Sequence, residues 1–476
     1  MFNLEKETPN KYRIKKTGNM LVDAVIYTNE KMLQDIKDDL SIQQLTDAAC
    51  LKGVIDPVVA MPDIHQGFGL PIGGIMAMDV KKGLISAGAV GMDINCGVRL
   101  MSTKIPAKEL KEKPKLRALM KAIEERVPTG TGKRGTHELS ELPSLEEVAK
   151  KGSKTIVDKG FGYPEDIDKT EENGCLAGGS LENVSKVAAK RGREQLSTLG
   201  GGNHFIDIQV VDEIYEPEIA EDFTLKKDHI VTMIHCGSRG FGHQICTDYT
   251  NVLWDTAKKF GIYIPQKGLA AAPIDSKEGK DYYSAMAAAV NFAFSNRQLI
   301  LHDVREAYKE VFNDTKENLG LDMVYDVAHN IAKYEEMNGQ EILIHRKGAT
   351  RALPPKNKYN PQRYMNTGHP VLIPGSMATP SYVLVGTEKA KESYYSVNHG
   401  AGRVMSRHAA HKELSPKVFE EKMQDILLSE RNYAKVIDES PMVYKNIDDV
   451  INILVDEGLC KKVAQLRPIG VIIGIE

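Results

Sequence analysis

The chain has 476 residues, 42% of them hydrophobic and 27% charged, with a formal net charge of −3 and a pI near 6.5. That length could hold two or three average domains around a sizeable core. The charge balance excludes a global coat for nucleic acid or anionic membrane, so any polyanion contact must be local. Six cysteines, at 50, 96, 175, 236, 246 and 460, lack framework spacing, which argues against a disulfide scaffold and for a reducing compartment. No apolar run approaches the roughly 18 residues of a membrane span. The start, MFNLEKETPNKYRIKK, lacks the apolar core of a signal peptide, so the expectation is a cytoplasmic protein with no membrane partner.

In chain order, a polar lead-in precedes MLVDAVIYT (20 to 28), read as a strand, and EKMLQDIKDDLSIQQLTDAACL, read as helix. PVVAM then enters a Gly- and Pro-rich stretch, MPDIHQGFGLPIGG, that carries Asp63 and His65. The apolar runs GLISAGAV and VRLMST predict strands on either side of GMDINCG, residues 91 to 97. Residues 107 to 127 predict a helix interrupted at Pro114, and GTGKRGT after it is loop, because it lacks the phosphate-loop spacing and no strand precedes it. Helices are expected over 144 to 159 and 181 to 199, and one long buried helix over 279 to 313, in which His302 reads as a helical rather than ligating residue. VLIPGSMATPSYVLVG (371 to 386) reads as two short strands around a Gly-Ser loop. The C-terminal part reads as helical up to a last apolar strand, RPIGVIIGIE. No internal repeat or low-complexity linker divides the chain.

GMDINCG is the stretch around which the rest is organised. It sets the carboxylate of Asp93 and the thiol of Cys96 three positions apart between glycines, in a tight loop. Metal binding is one reading. The other is a turn-capping Asp93 beside an ordinary buried thiol. A recurring pattern bears on the choice: apolar strands and glycine turns meet at His204 (LGGGNHFIDIQVV), His235 (HIVTMIHCGSRGFGH), His329 (MVYDVAHN) and His399 (VNHGAGR). A strand end is where a rigid scaffold presents a side chain to a cleft. One carboxylate, one thiolate and up to four imidazoles exceed the needs of one tetrahedral site, which leaves two metals, or one metal and a histidine free for chemistry. Zinc, manganese, iron or cobalt would each accept these donors. Arg191, Arg239, Arg346, Arg351, Arg403, Arg407 and Lys347 lie in or near glycine-rich turns, a context that suits phosphate oxygens, although surface salt bridging is the alternative for any one of them.

GMDINCGVRL, LGGGNHF, HCGSRGFGH, YDVAHN, HRKGATRA, PGSM and NHGAGR, in this order, resemble the RtcB-type RNA-splicing ligases over nearly the whole chain, from about residue 20 onward. The resemblance implies a mixed α/β (α+β) fold in one large domain, residues 1 to 476, of complex topology and not a doubly wound sheet. It implies an enzyme that joins RNA 2′,3′-cyclic phosphate or 3′-phosphate ends to 5′-hydroxyl ends, using GTP and two Mn²⁺ per chain, on tRNA halves or damaged RNA, with archease as a family-typical activator. By the same resemblance, Asp93, Cys96 and His204 hold one metal and Cys96, His235 and His329 the other, His399 is the nucleophile that takes up GMP, and Asp63 orients it. Asn203, His204, Phe205, Ile206, Asp207, His329, Asn330, Pro374, Gly375, Ser376, Met377, Ser381, His399, Gly400, Ala401 and Gly402 would line the guanylate pocket, with Tyr444 against the base. Arg191, Arg239, Lys347, Arg403 and Arg407 would meet RNA phosphates. Two residues depart from the family pattern: Ile473 stands where the tail carries a nucleotide-contacting lysine, and Asp207 where glutamate is expected. A divergent relative acting as a dinuclear-metal RNA-end phosphoesterase is the alternative function.

Overall fold

Tyr12 and Ile14 turn inward while Lys11 and Arg13 face outward, so the polar lead-in folds into a hairpin of β1 (Leu4–Thr8) and β2 (Lys11–Ile14) rather than remaining a leader. This is seen in a computed structural model that describes residues 2–475 except Asp38, Gln424 and Arg431. β3 (Ala24–Tyr27) falls within the run expected to be a strand. The helical stretch after it divides into α1 (Glu30–Asp35), capped by the Asn29 side chain accepting from the Met32 N–H, and α2 (Ser41–Ala48). β4 (Val58–His65) and β5 (Ile72–Asp79) flank the glycine-rich turn, and β6 (Gly97–Pro106) leaves the GMDINCG loop. Pro114 lies in the first turn of α3 (Lys113–Arg126), where no amide hydrogen is needed, and so starts the helix instead of interrupting it.

The expected helix over 144 to 159 is broken at Gly152 into α4 (Leu145–Lys151) and α5 (Lys154–Asp158), and that over 181 to 199 shrinks to α6 (Lys186–Gln195). Then come β7 (Phe205–Ile214), β8 (His229–Cys236), α7 (Arg239–Lys259) and the long α8 (Lys277–Phe312). β9 (Asp322–Ala328), β10 (Asn330–Met337), β11 (Gln340–Lys347), β12 (Val371–Ile373) and β13 (Ser381–Gly386) follow. Arg407–Glu413, Pro416–Lys422, Tyr433–Glu439 and Pro441–Val443 form short helical pieces, and α9 (Ile447–Asp456) precedes β14 (Cys460–Ile473), which starts earlier than RPIGVIIGIE indicates.

The fold is mixed α/β with two seven-strand sheet paths. One runs β1-β2-β3-β4-β5-β11-β10, with β3 and β4 parallel. The other runs β9-β6-β8-β7-β14-β13-β12, antiparallel throughout. α8 unites them. Its first half, including Ala285, Val290 and Phe292, packs in one core with Ile26, Ala60 and Met76 of the first sheet. Its second half, Ile300, Leu301 and Val304, packs with Met101, Ile208 and Ile234 of the second. Its middle is buried on nearly every side, polar residues included, and each fully buried Leu or Ile contributes about 1.5–3 kcal/mol of transfer free energy.

Candidate active site

Pairing in the second sheet brings distant residues to one line. Gly97 of β6 stands opposite both Cys236 and Ala328, and His235 stands opposite both Val98 and Phe205. Cys96 precedes β6, His204 precedes β7, His235 is the last residue but one of β8, and His329 follows β9. Four adjacent strands therefore deliver one thiol and three imidazoles to the same edge, and the GMDINCG loop adds Asp93. The donor atoms of Asp93, Cys96 and His204 lie within 4.8 Å of one another, as do those of Cys96, His235 and His329. Cys96 belongs to both groups.

These donors face each other at the spacing of ligands around a cation. Cys96 Sγ is 3.2 Å from His235 Nε2 and 3.5 Å from His204 Nε2, His235 Nε2 is 3.3 Å from His329 Nε2, and His204 Nε2 is 2.8 Å from Asp93 Oδ2. Bond lengths of about 2.1 Å to nitrogen and 2.3 Å to sulfur give edges of roughly 3.5 Å around a tetrahedral ion. Burial holds His235 and His329 well below the usual imidazole range, so both are neutral, and His235 Nδ1 is buried with no hydrogen-bond partner. Two neutral imidazoles aiming Nε2 at each other suit a shared cation better than each other. His204 Nδ1 lies 3.1 Å from the Leu199 carbonyl and 3.0 Å from the Arg239 guanidinium, contacts that hold the ring with Nε2 toward the cluster. Burial, with the Asp93 charge adding, pushes the Cys96 thiol up to about 12; a cation would reverse this and hold the thiolate. Burial opposes ionisation of Asp93, yet the His204 imidazole keeps its carboxyl well below the usual range. The residues fit a pair of divalent cations.

Close approach requires two of the glycines. A Cβ at Gly237 would strike the Asp93 carboxylate, and Gly200, at φ 91°, would put one into the Arg239 guanidinium. Asp93 Oδ1 accepts from the Ser238 N–H at 3.0 Å.

Arg297 is a residue that sequence reasoning passes over. Fully buried in the middle of α8, it donates to the Asn95 carbonyl (2.8 Å), the Asn95 side chain (3.0 Å), the Cys236 carbonyl (2.7 Å) and Asp326 (2.7 Å). It thus ties the GMDINCG loop, the end of β8 and β9 together. Arg99 shares the Asp326 carboxylate from β6 at 2.7 Å. Asn330 helps from outside by donating to the Asp93 carbonyl at 2.9 Å.

Beside the cluster opens a cavity of about 280 Å³ that holds His399, whose ring centroid lies 4.9 Å from that of His329. Asp63 Oδ2 is 2.6 Å from His399 Nδ1 and accepts from the His399 N–H at 3.1 Å. Nδ1–H donating to that carboxylate leaves Nε2 as the nucleophilic nitrogen. Asn203, Phe205, Asp207, Pro374 to Met377, His399 to Gly402, Tyr444 and Ile473 all line this cavity, together with His65, noted in the sequence beside Asp63, and Glu439, which sequence reasoning did not single out. Burial lowers His65 to about 4.

Other expectations are corrected. Ile206 turns its side chain to the opposite face of β7, into the core with Ile234 and Ile472. Ser381 lies behind the wall, its hydroxyl accepting from the Gly375 N–H and from Gln209. Lys347 does not reach the surface: its ammonium is bound by the carbonyls of Phe68 and of Gly88, and burial lowers it to about 8. Arg346 is buried against Glu335 and Ser396, and Arg351 against Glu171 and Glu172. Arg403 and Arg407 stand at the cavity rim, paired with Asp438 and Glu439. Arg191 and Arg239 line a second groove, of about 620 Å³, that reaches Asp93, Asn203 and His204 from another side and includes Lys133 and His243.

A family model described as tRNA-splicing ligase RtcB matches residues 44–474. Proteins named tRNA-splicing ligase RtcB are similar along their length. That of Archaeoglobus fulgidus is 44% identical over 477 residues, covering 98% of each chain. That of Aeropyrum pernix is 43% identical over 463 residues, covering 95% of each. That of Nanoarchaeum equitans is 42% identical over 471 residues, covering 97% of this chain and 98% of its own. With the match extending over both sheets and both ligand groups, the chain belongs to the RtcB family.

Proposed function

We propose that the chain, acting as one ligase unit, joins RNA ends that carry a 2′,3′-cyclic phosphate or 3′-phosphate to 5′-hydroxyl ends in tRNA splicing or RNA repair. The observation that carries this reading is the orientation of His399: Asp63 engages Nδ1 at 2.6 Å, so that Nε2 is the nitrogen left for chemistry next to the ligand groups. Family membership supplies the reaction class. GTP is the nucleotide of this reading and Mn²⁺ the metal, held by Asp93, Cys96 and His204 and by Cys96, His235 and His329. Two divalent cations bound there would polarise phosphate oxygens and neutralise charge that develops during transfer.

His399 Nε2 attacks the α-phosphorus of GTP. An N–P bond forms as the bond to the pyrophosphate oxygen breaks, pyrophosphate leaves, and Nδ1 keeps its proton toward Asp63, whose charge steadies the imidazolium character of the linked ring. A cyclic RNA end is first hydrolysed to a 3′-phosphate. An oxygen of that 3′-phosphate then displaces the imidazole, taking over the GMP. The 5′-hydroxyl attacks the activated 3′-phosphate, the strand is sealed, and GMP departs. Arg191 and Arg239, in the second groove, suit the RNA phosphates of this sequence. Archease, a family-typical activator, is the protein partner of this reading.

Incubation with Mn²⁺ and [α-³²P]GTP should place an acid-labile, alkali-stable label on the protein, and His399→Ala should abolish it. Absence of such a label would sink the covalent route. If RNA with a cyclic phosphate were opened but never lengthened beside a 5′-hydroxyl partner, the phosphoesterase alternative would replace the ligase.

A further inference from the structure

The strand that carries Asp63 loses its neighbours where it bends toward His399. β4 pairs with β3 only as far as Ala60, which stands opposite Ile26, and its pairing with β5 breaks between Ala60 and His65. Residues 61 to 64 are therefore without a regular ladder on either side, although all four are buried. Buried carbonyls need donors. Lys445 supplies them: its Nζ donates to the Pro62 carbonyl at 2.9 Å and to the Ile64 carbonyl at 2.7 Å, one on each side of Asp63. Carbonyls two residues apart in an extended segment point the same way, so one ammonium reaches both.

The same residue holds the segment that carries His399. The Lys445 N–H donates to the Gly402 carbonyl at 2.9 Å and the Val404 N–H to the Val443 carbonyl at 2.8 Å, so residues 402 to 404 run antiparallel to residues 443 to 445. A Cβ on Gly402 would stand 2.3 Å from the Asp63 carbonyl oxygen, which means that the two segments meet backbone to backbone. Directly after Lys445, Asn446 caps α9 by accepting from the N–H groups of Asp448 and Asp449, and this anchors the chain from which Lys445 reaches. Lys445 is 7% exposed, and burial lowers it to about 8, the Asp63 charge opposing. A buried ammonium spent on two carbonyls, beside the carboxylate that orients His399 and outside the cavity lining, calls for a reason.

We propose that Lys445 is a positioning residue for His399: by holding Pro62, Ile64 and Gly402 it fixes Asp63 against the imidazole and so aims Nε2. This rests on His399 being the nucleophile of the proposed reaction. Without the ammonium, the Pro62 and Ile64 carbonyls lose their donor, and the 2.6 Å contact of Asp63 with His399 Nδ1 is no longer imposed. Misplacing a reacting group by about 1 Å can cost on the order of 100-fold in rate. The attack of a 5′-hydroxyl on a 3′-phosphate that already carries GMP does not use the imidazole, so it does not depend on that aim.

The test compares two reactions of the full chain with Mn²⁺ in Lys445→Met: single-turnover labelling by [α-³²P]GTP, and sealing of an RNA that already bears a 3′-guanylate. Labelling should slow by at least about tenfold and the half-saturating GTP concentration change by less than about threefold, while sealing slows by less than about threefold. Placed in Asp63→Ala, the Met substitution should slow labelling no further, because both changes act through one contact. Labelling slowed by less than about tenfold, sealing slowed as much as labelling, or losses that multiply in the double variant would overturn the inference, while labelling of the unmodified chain leaves the histidine chemistry standing. No labelling of the unmodified chain removes both. If thermal melting shows that Lys445→Met does not fold, Lys445→Gln decides: its shorter amide cannot span both carbonyls, labelling should again slow by at least about tenfold, and an unchanged rate overturns the proposal.

Discussion

On the sheet side of the His399 cavity, four aligned strand ends carry Cys96, His204, His235 and His329 into surroundings where none is more than 5% exposed, and Arg297 clamps three of the supporting segments by hydrogen bonds. On the other side, residues 403 to 444 approach the cavity through short helices and through ion pairs of Arg403 and Arg407 with Asp438 and Glu439, over a small apolar cluster that includes Phe419, Val436 and Ile473. The first wall is held by groups that water does not reach. The second is held by ion pairs whose arginine ends reach solvent while the carboxylates of Asp438 and Glu439 stay buried. A rigid wall suits ligands that must keep fixed spacing, and a wall of lower local stability suits a substrate that must enter and leave.

The comparison can be broken most severely at Cys96. Cys96→Ala removes the donor common to both ligand groups, so it should lose both ions and bring nucleotidyl transfer to background, whereas Asp93→Ala should spare binding at the Cys96, His235 and His329 group. Metal stoichiometry by calorimetry with Mn²⁺ checks this, and two ions retained by Cys96→Ala would show that the cysteine is not shared.

Next is the clamp behind the ligands. Arg297→Met strands the Asn95 and Cys236 carbonyls and leaves Asp326 with Arg99 alone, and the expected loss is about 3–5 kcal/mol in urea unfolding. A loss under about 1 kcal/mol would remove Arg297 from the account of why the rigid wall is rigid.

The smallest expected effect sharpens the contrast. Raising salt from about 0.1 to 1 M shortens the Debye length from roughly 10 to 3 Å and should speed amide exchange in residues 403 to 444 a few-fold, leaving residues 91 to 97 unchanged. Equal response in both segments would mean that the ion pairs do not hold the rim.

Much of the rigid wall was legible in the sequence, because glycine turns next to apolar strands mark where a histidine must stand even when its partners lie hundreds of residues away. The loop around Asp93 and Cys96 and the strand ends at His204, His235 and His329 were readable for that reason. Arg297 was not. It sits in a helix read as buried, and nothing in its neighbours tells that its guanidinium spans to Asn95, Cys236 and Asp326; that is a property of how β6, β8 and β9 pack on α8. Lys347 is the reverse case, a charge in a glycine-rich turn that suggested phosphate and instead closes on the carbonyls of Phe68 and Gly88. Ile206 was misread with its neighbours as one contiguous motif, although a strand sends alternate residues to opposite faces. The N-terminal hairpin was hidden because its outward side chains are polar, and strand pairing is a tertiary fact that local composition does not carry.

One further consequence follows from the position of β14. It comes after every other strand in the chain, yet it pairs with β7 on one side and β13 on the other, in the interior of the second sheet. Until it arrives during synthesis, β7 and β13 each show an open edge to their surroundings, the kind of edge on which nascent chains aggregate. The sheet that aligns His204 and His235 is therefore completed only when the ribosome has delivered β14. Interrupted translation products would be left with unpaired strands and without the Ile473 wall of the cavity.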